Sequence, residues 1–499
     1  MKKKETKKFK LNIVFGVLNG ITSALQSFWL ILYVKANLGS EAFGYISVVN
    51  SIVSTLLVIS SAVASMGTRY ILVNIGKNNN REAKKYFNSE LIAMIVSGVT
   101  ISVIGIIITF NLNAFMNIGS DFYGEVQVLF MMTIFSFSLQ LLSSPFSASF
   151  FHTNELYLTY VMYTLDYVSR VVVTIILFSN KFFVLWSAAV ASDFVYLCIL
   201  LFYLYYSYQK LPGLSIDFSY FDFSHLFDLL KSGIWIAISS AGNMLLSSLN
   251  IYFSNILCGV LITGVYAAIM QFNIISVMIL TVLVNSLFPK MIRLYSGDKT
   301  AQLYNYTIYS MSLTALALSI ISGGIIVYGN DFMGFWMGND FRGYGVLIFL
   351  TVVHLPLTLP SQVLNQSFSI MNKVRIPAIA TIFSGILNLA MAVYFAKTLG
   401  MGIYGIAISS FLVQILRDIV FYPIYFSNIT SVYSYKLMIP LISGLLGMLG
   451  TVFIAKVIHT LIFPSSLILF GIDIVITGSL SFTVILLIGK KYGVYNDFS

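Results

Sequence analysis

Charged residues are scarce in this sequence. They make up 9% of its 499 residues, against about 25% in an ordinary soluble domain. So few charges exclude a large water-soluble domain. Hydrophobic residues make up 58%, and apolar runs of about 20 residues, enough to cross a bilayer as a helix, recur from one end to the other. The composition therefore indicates an integral membrane protein.

The chain also lacks the motifs of most enzymes and metal proteins. Its two cysteines, Cys198 and Cys258, both lie in apolar runs, which excludes a disulfide framework and a cysteine-based metal site. The four histidines are scattered, and no GxxxxGK[ST], HExxH or GxSxG motif is present. We therefore expect no enzymatic activity, no metal and no cofactor. A coupling ion, proton or sodium, is left open.

Hydropathy predicts an all-α polytopic membrane protein with 14 transmembrane helices. The predicted spans cover residues 11–34, 42–66, 87–110, 126–150, 156–178, 182–206, 227–256, 261–286, 305–328, 344–368, 376–396, 402–425, 437–459 and 465–488. Two prolines, Pro356 and Pro360, predict a kink in the tenth span.

Lysine and arginine in the connections predict the orientation, because cytoplasmic loops are enriched in them. With the basic amino-terminal tail inside, 21 of the 28 cations fall on the inner side and five on the outer side. Both termini are therefore predicted to be cytoplasmic. The net charge of +10 is explained by this asymmetry and by attraction to anionic phospholipid, and nucleic acid is not an expected partner.

An internal repeat is indicated by two similar shifts along the chain. A shift of 218 residues overlays Asn154 on Asn372, and a shift of 220 overlays Gly44 on Gly264. Each unit holds six spans, an even number, so the two copies enter the membrane in the same orientation. We predict a parallel repeat with an N-lobe (1–206), a linker (207–226), a C-lobe (227–428), and two appended helices with a cytoplasmic tail (429–499).

Two ionisable residues lie near the middle of the fifth predicted span, where charge is costly. Asp166 and Arg170 are spaced i, i+4, which places both on one helix face with the acid first, the better order for pairing. They form either a self-neutralised pair or one wall of a polar passage that meets a hydrophilic substrate. The repeat overlays Ser384 on Asp166 and Asn388 on Arg170, so a polar stripe is predicted at the same depth in both lobes.

Further ionisable residues lie inside predicted spans. Asp193 is a candidate acceptor for Arg170 or Arg417 from a neighbouring helix. Arg417 either joins the passage or extends to the inner headgroups; the adjacent Asp418 points about 100° away on an α-helix, so good pairing is not expected. His354 is expected to be a packed neutral histidine. Asp473, in the last span, has no assigned role.

Three cations stand at the inner ends of predicted spans. Arg69 and Lys290 occupy repeat-equivalent positions, and Arg293 lies one turn beyond Lys290. They are either ordinary positive-inside anchors or a site that captures a phosphate or pyrophosphate at the cytoplasmic mouth, since Lys and Arg form strong charge-assisted bonds to such oxygens.

The whole chain resembles a known family. The fourteen spans, the duplication and the loop NIGKNNNREAKKYF, with the turn LGSEAFGYIS as the most telling piece, are similar to the polysaccharide-transporter branch of the multidrug/oligosaccharidyl-lipid/polysaccharide exporter (MOP) superfamily. The resemblance implies a flippase that moves an undecaprenyl-diphosphate-linked oligosaccharide repeat unit outward across a bacterial cytoplasmic membrane by alternating access. It also implies other polysaccharide-assembly membrane proteins as candidate partners. Such families usually have a cationic lumen, whereas the spans here hold two Arg against four Asp.

Two other functions are consistent with the residues. A cation-coupled multidrug exporter of the same superfamily would use carboxylates of the N-lobe, and Asp166 and Asp193 keep it open. A membrane-embedded polysaccharide polymerase or ligase is less favoured, because the outer loops are short.

Overall fold

The computed structural model describes residues 2–56, 58–297, 299–430, 432–462 and 467–491, and the regular structure in those ranges is helical. The helices are numbered in chain order. They are α1 Lys2–Leu38, α2 Ser40–Leu56, α3 Val58–Gly76, α4 Asn80–Phe110, α5 Leu112–Phe115, α6 Tyr123–Ser143, α7 Ala148–Thr153, α8 Tyr157–Ser179, α9 Ser187–Lys210, α10 Phe223–Leu246, α11 Ser248–Cys258, α12 Val260–Ser296, α13 Thr300–Met337, α14 Gly345–Val352, α15 Leu355–Thr358, α16 Ser361–Ile370, α17 Arg375–Val393, α18 Gly402–Ile415, α19 Tyr422–Thr430, α20 Met438–Ile462 and α21 Leu467–Lys491.

Eleven helices or helix combinations in the described residues are long and apolar enough to cross a membrane, or twelve with the bent helix pair. That pair, Gly345–Thr358 and Ser361–Ile370, meets at 41°, which confirms the kink predicted at Pro356 and Pro360. The second predicted span is divided between α2 and α3, and the fourteenth corresponds to α21. The protein is a multi-pass membrane protein, and the count of 14 stays a prediction. The predicted tail beyond residue 491 lies outside the described residues.

The chain divides by its contacts into two compact units, Met1–Ala267 and Ala268–Ser499. In the first unit, α8 packs against α1 and α9, α6 against α4 and α9, and α10 against α3 and α4. An apolar core of this unit surrounds Tyr45 and Phe130. The predicted boundaries at 206, 226 and 428 stay predictions.

In the second unit, α13 packs along α20 and also contacts α21. An apolar core surrounds Phe368, Tyr422 and Phe426. Two π-helical segments, Tyr394–Thr398 and Leu416–Phe421, interrupt the α-helical hydrogen bonding that follows α17 and α18.

Two turns 218 residues apart have the same backbone geometry. Asn154 and Asn372 are both left-handed, each with φ of 54°, a conformation that asparagine tolerates better than most residues. In each case the next N–H donates back across the turn, from Glu155 to the Phe150 carbonyl at 2.9 Å and from Lys373 to the Phe368 carbonyl at 2.8 Å. The two helix ends are therefore closed in the same way.

Helices α2 and α12 approach closely at positions 220 residues apart. A Cβ on Gly44 would lie 2.5 Å from the Val260 carbonyl oxygen, and a Cβ on Gly264 would lie 2.9 Å from the Ser40 carbonyl oxygen. Each glycine therefore contacts the first residue of the other helix, and the two contacts are equivalent under the 220-residue shift. Any larger residue at either glycine would force the two helices apart.

Candidate functional site

The predicted pair on α8 is present as an ion pair. A terminal guanidinium nitrogen of Arg170 lies 2.7 Å from Oδ2 of Asp166. The Asp166 side chain is buried, whereas 29% of the Arg170 side chain is exposed. The acid therefore depends on the arginine for its charge compensation, while the arginine also reaches a more open region.

That region is a cavity of about 140 Å³ inside the first unit. Its wall combines apolar side chains from α1, α2, α6 and α9 with a set of polar ones. The polar lining residues are Asn50, Thr133, Ser136, Arg170, Ser192 and Tyr196. Arg170 supplies the charged group among the residues that line this cavity, and several hydroxyls surround it.

Asp193, on α9, is connected to the same cavity by a hydrogen bond from a serine that lines it. The hydroxyl of Ser136, which lines the cavity, donates a hydrogen bond to Oδ1 of Asp193. Within the described ranges no ion pair joins Asp193 to Arg170. The proposed acceptance of Arg170 by Asp193 is therefore not found, because Arg170 is bound by the acid one turn earlier on its own helix.

The corresponding residues of the second unit form a buried hydrogen-bonded group. Ser384 and Asn388 are both buried on α17. The Asn388 side-chain oxygen accepts bonds from the Ser409 and Ser410 hydroxyls, each at 3.1 Å. The predicted polar stripe thus contains an ion pair in one unit and an amide with two hydroxyls in the other.

The expectation that Arg417 and Asp418 pair poorly is wrong. Nε of Arg417 donates to Oδ1 of Asp418 at 2.8 Å, and a terminal nitrogen donates to Oδ2 at 3.0 Å. Both residues are buried and lie in the π-helical segment Leu416–Phe421, where the long arginine side chain reaches the carboxylate of its neighbour. Arg417 is 8% exposed and does not extend into solvent.

The three cations predicted at the cytoplasmic mouth have different surroundings. Arg69, on α3 in the first unit, is exposed, and so is Arg293 on α12 in the second unit. Lys290 is half-buried, with its ammonium 4.7 Å from the centre of the Tyr306 ring.

A connecting segment, residues 211–222, is tied to the start of α4. Asn88 donates to the Ser215 carbonyl oxygen at 3.2 Å, and Ser89 donates to the Asp222 carbonyl oxygen at 3.1 Å. Lys84 pairs with Asp217 at 3.0 Å. Hydrogen bonds from Ser219 and Lys84 hold the pKa of the Asp217 carboxyl below its ordinary value.

An apolar cavity of about 280 Å³ lies in the second unit, between α12, α13 and α21. Its lining includes Ile320, Ile325, Ile474 and two glycines, Gly324 and Gly478. This cavity is distinct in character from the polar one of the first unit, and it suits an aliphatic chain.

Next to the apolar cavity is a polar cluster for which the sequence suggested no role. The fully buried Asp473 accepts a bond from the Tyr328 hydroxyl at 2.6 Å and lies 2.8 Å from Nδ1 of His459. Nε2 of His459 lies 3.5 Å from Asp331. The cluster joins α13, α20 and α21.

Glu90, on α4, is the buried acid that sequence reasoning missed. It lies inside the predicted span 87–110 and is fully buried. The available signal was an acid inside a predicted span, at the fourth residue of 87–110. His354, by contrast, is buried against Thr358 at 3.1 Å as expected. Among the described residues, no group of three or more His, Cys, Asp or Glu could hold a metal ion.

The chain is similar to known proteins in sequence and in fold. The chain is 24% identical over 425 residues to EpsK, an uncharacterized membrane protein of Bacillus subtilis (strain 168), covering 85% of this chain and 84% of that protein. No protein-family model matches the chain.

Solved structures show the fold. A multidrug resistance MATE family transporter of the MOP superfamily, in an inward-facing conformation, matches with a TM-score of 0.71 at 13% identity, covering 84% of this chain and 98% of that one. The lipid II flippase MurJ, in an inward closed conformation, matches with a TM-score of 0.70 at 12% identity, covering 98% of this chain and 99% of that one. The chain therefore has the fold of MOP-superfamily transporters.

Proposed function

We propose that this protein is a flippase that moves undecaprenyl-diphosphate-linked oligosaccharide repeat units from the cytoplasmic to the outer leaflet by alternating access, for surface polysaccharide biosynthesis. The observation that carries the proposal is the extent of the fold match. The flippase MurJ is matched along 98% of this chain, whereas the MATE transporter is matched almost completely by 84% of it. The MurJ match therefore includes a part of this chain that the MATE match leaves out.

The proposal includes a parallel two-lobe repeat with 14 spans. It is supported by the equal turn geometry at Asn154 and Asn372 and by the reciprocal contact of Gly44 and Gly264. Equivalent residues of a parallel repeat are expected to have such paired geometries, because the same local sequence closes the same helix end in each copy.

The hydrophilic part of the substrate is proposed to pass Asp166, Arg170 and Asp193 in the first unit and Ser384, Asn388 and Arg417 in the second. Support comes from the polar cavity that Arg170 lines. The diphosphate is proposed to be captured first by Arg69, Lys290 or Arg293 on the cytoplasmic side, and the exposure of Arg69 and Arg293 is consistent with that role.

The lipid tail is proposed to occupy the apolar cavity beside α21. A Cβ at Gly324 or Gly478 would meet no atom within 4 Å, so a larger apolar residue at Gly324 would fill the cavity without disturbing the helices. We expect Gly324→Leu to reduce surface polysaccharide at an unchanged protein level. Gly450→Leu is the matched control, because Gly450 also has open space around it and does not line the cavity.

The function is tested by deleting the gene and following lipid-linked repeat units across the membrane. Loss of a flippase traps single repeat units at the inner face, where an enzyme added outside cannot modify them. Single units at the outer face of the deletion strain would instead indicate a polymerase or ligase.

A second candidate, a cation-coupled multidrug exporter, is favoured by the MATE-type fold match. The pairing of Asp166 with Arg170 weighs against Asp166 as an open cation-binding carboxylate. Expression in a drug-sensitised host that raises resistance to several unrelated drugs, without any change in polysaccharide, would favour the exporter.

A further inference from the structure

The Glu90 carboxyl is buried without a cation. Its Oε2 has no hydrogen-bond partner, and Oε1 accepts one bond from the Ser144 hydroxyl at 3.4 Å. No cationic nitrogen of the described residues lies within 4.0 Å of it. A carboxylate in this position would carry an almost uncompensated charge.

The other fully or almost fully buried acids of the described residues have closer partners. Asp166 lies 2.7 Å from Arg170, Asp418 lies 2.8 Å from Arg417, and Asp473 accepts a hydrogen bond from the Tyr328 hydroxyl at 2.6 Å and lies 2.8 Å from Nδ1 of His459. Glu90 differs from all three in having a weak bond to one hydroxyl. The difference indicates that Glu90 is neutral in this conformation, because burying an unpaired charge costs several kcal/mol.

The surroundings of Glu90 come from three elements. Its carboxyl fills the space left by Gly67 of α3, where an added Cβ would overlap Oε2, and Ser144 belongs to the turn after α6. The charged and titratable groups at the amino-terminal end of α4, and on the parts of α3, α10 and residues 218–220 that pack near it, are Arg69, Tyr70, Arg81, Glu82, Lys84, Lys85, Tyr86, Tyr220, His225, Asp228 and Lys231.

Several of these groups have partners of their own. Lys84 pairs with Asp217, Lys85 and His225 pair with Glu82, and Tyr86 donates to Asp228. The Tyr70 hydroxyl bonds to that of Ser232 at 2.7 Å. Several of the neighbouring charges are thus paired with one another, and Glu90 takes no part in these pairs.

We propose that Glu90 is a proton-binding site, occupied in this conformation. A proton taken from water onto one carboxylate oxygen removes the charge and lets the side chain pack against Gly67. The two preceding residues, Asn88 and Ser89, hold the 211–222 segment. Release of the proton would favour any arrangement in which α3, the Ser144 turn and this segment open Glu90 to water.

Proton binding by Glu90 does not depend on the proposed function. The use of that proton as the coupling ion of a transporter does rest on the proposed function. In that case the proton would be bound in one conformation and released in the other, so that its gradient drives the cycle. Glu90→Gln, which imitates the protonated acid, should keep the fold and stop the cycle.

Infrared spectroscopy of the purified full chain tests the site directly. At neutral pH, the wild type should show the C=O stretch of a protonated carboxylic acid, and Glu90→Gln should lose an intensity equal to one group per chain. Glu82→Gln is the control, because Glu82 lies on the same helix and its carboxylate is ion-paired with Lys85 at 3.2 Å. That variant should lose an ionised carboxylate band instead.

Loss of only an ionised carboxylate band in Glu90→Gln would overturn the proton site. The coupling role has a separate test, in cells whose gene deletion has already shown a polysaccharide phenotype. There, Glu90→Gln at normal protein level should fail to restore surface polysaccharide, and full restoration would overturn coupling while leaving both the proton site and the flippase intact.

Discussion

Replacing Arg170 should affect stability and transport in ways that can be separated. Arg170→Ala leaves the fully buried Asp166 without its guanidinium at 2.7 Å. Removing one partner of a buried pair costs about 3–5 kcal/mol, because the remaining charge is uncompensated. Surface polysaccharide should also be lost, but misfolding alone would explain that loss.

Replacing the acid of the pair should lower the free energy of unfolding by less than replacing the arginine does. In Asp166→Asn, the unpaired group is Arg170, whose side chain is 29% exposed and lines a polar cavity. Water can compensate much of its charge there, so we expect about 1.5–3 kcal/mol, the value of a charge-assisted hydrogen bond. The two single variants are thus predicted to differ, with the arginine substitution the more damaging.

The double variant Asp166→Leu/Arg170→Met separates the two effects. Apolar residues that replace a buried ion pair are often neutral or stabilising, so its unfolding free energy should be close to that of the wild type. Transport should still be lost, because the cavity has lost its charged group. Unfolding of the purified proteins by SDS in mixed micelles measures the first quantity, and surface polysaccharide at matched protein level measures the second.

Two results would refute this reasoning. Equal destabilisation by both single substitutions would show that the cavity does not hydrate Arg170. Normal polysaccharide in the double variant would show that the pair is structural and takes no part in the passage.

Three further predictions follow from the described contacts. Asn388→Leu should cost about 1–3 kcal/mol, because it removes the buried amide oxygen that accepts hydrogen bonds from the Ser409 and Ser410 hydroxyls, and SDS unfolding measures it. Gly44→Ala should cost about 1–3 kcal/mol through overpacking, whereas Gly124→Ala, with open space around it, should not destabilise; equal melting temperatures would contradict this. The lowered pKa of Asp217 stabilises the folded segment at any pH above its unfolded value of about 3.9 and ceases to do so as pH falls through the folded value. A spin label on residues 211–222 should therefore become mobile in acid, and in Asp217→Asn it should already be more mobile at neutral pH.

Sequence reasoning predicted the parts of the fold that depend on composition and regular spacing. Apolar runs indicated the spans, the i, i+4 spacing predicted the ion pair on α8, and two prolines predicted the bend after α15. These features are local, so the physical chemistry of one helix is enough to predict them.

One error is local: Arg417 and Asp418 are neighbours in a π-helical segment, which hydropathy does not reveal, and they pair there. The omissions concern relations that a single helix does not contain. Asp193 is bound by a serine from another helix, and Glu90 is distinguished by having no cationic nitrogen of the described residues within 4.0 Å of its carboxyl. Tertiary packing determines both of these features, so the sequence alone was insufficient.

The two intramembrane arginines lead to a further conclusion about transport. Arg170 is paired with Asp166 and Arg417 with Asp418, so each arginine is compensated by an acid on its own helix. Neither pair attracts a diphosphate strongly at long range, because its net charge is zero. Such a passage can hydrogen-bond sugars and release them again, whereas a bare cation would hold the phosphates tightly. Under the proposed function, strong phosphate binding would then be confined to Arg69, Lys290 and Arg293, the cations proposed for the cytoplasmic mouth. Neutralising Arg69 should therefore weaken substrate capture more than neutralising the Arg417–Asp418 pair as a unit.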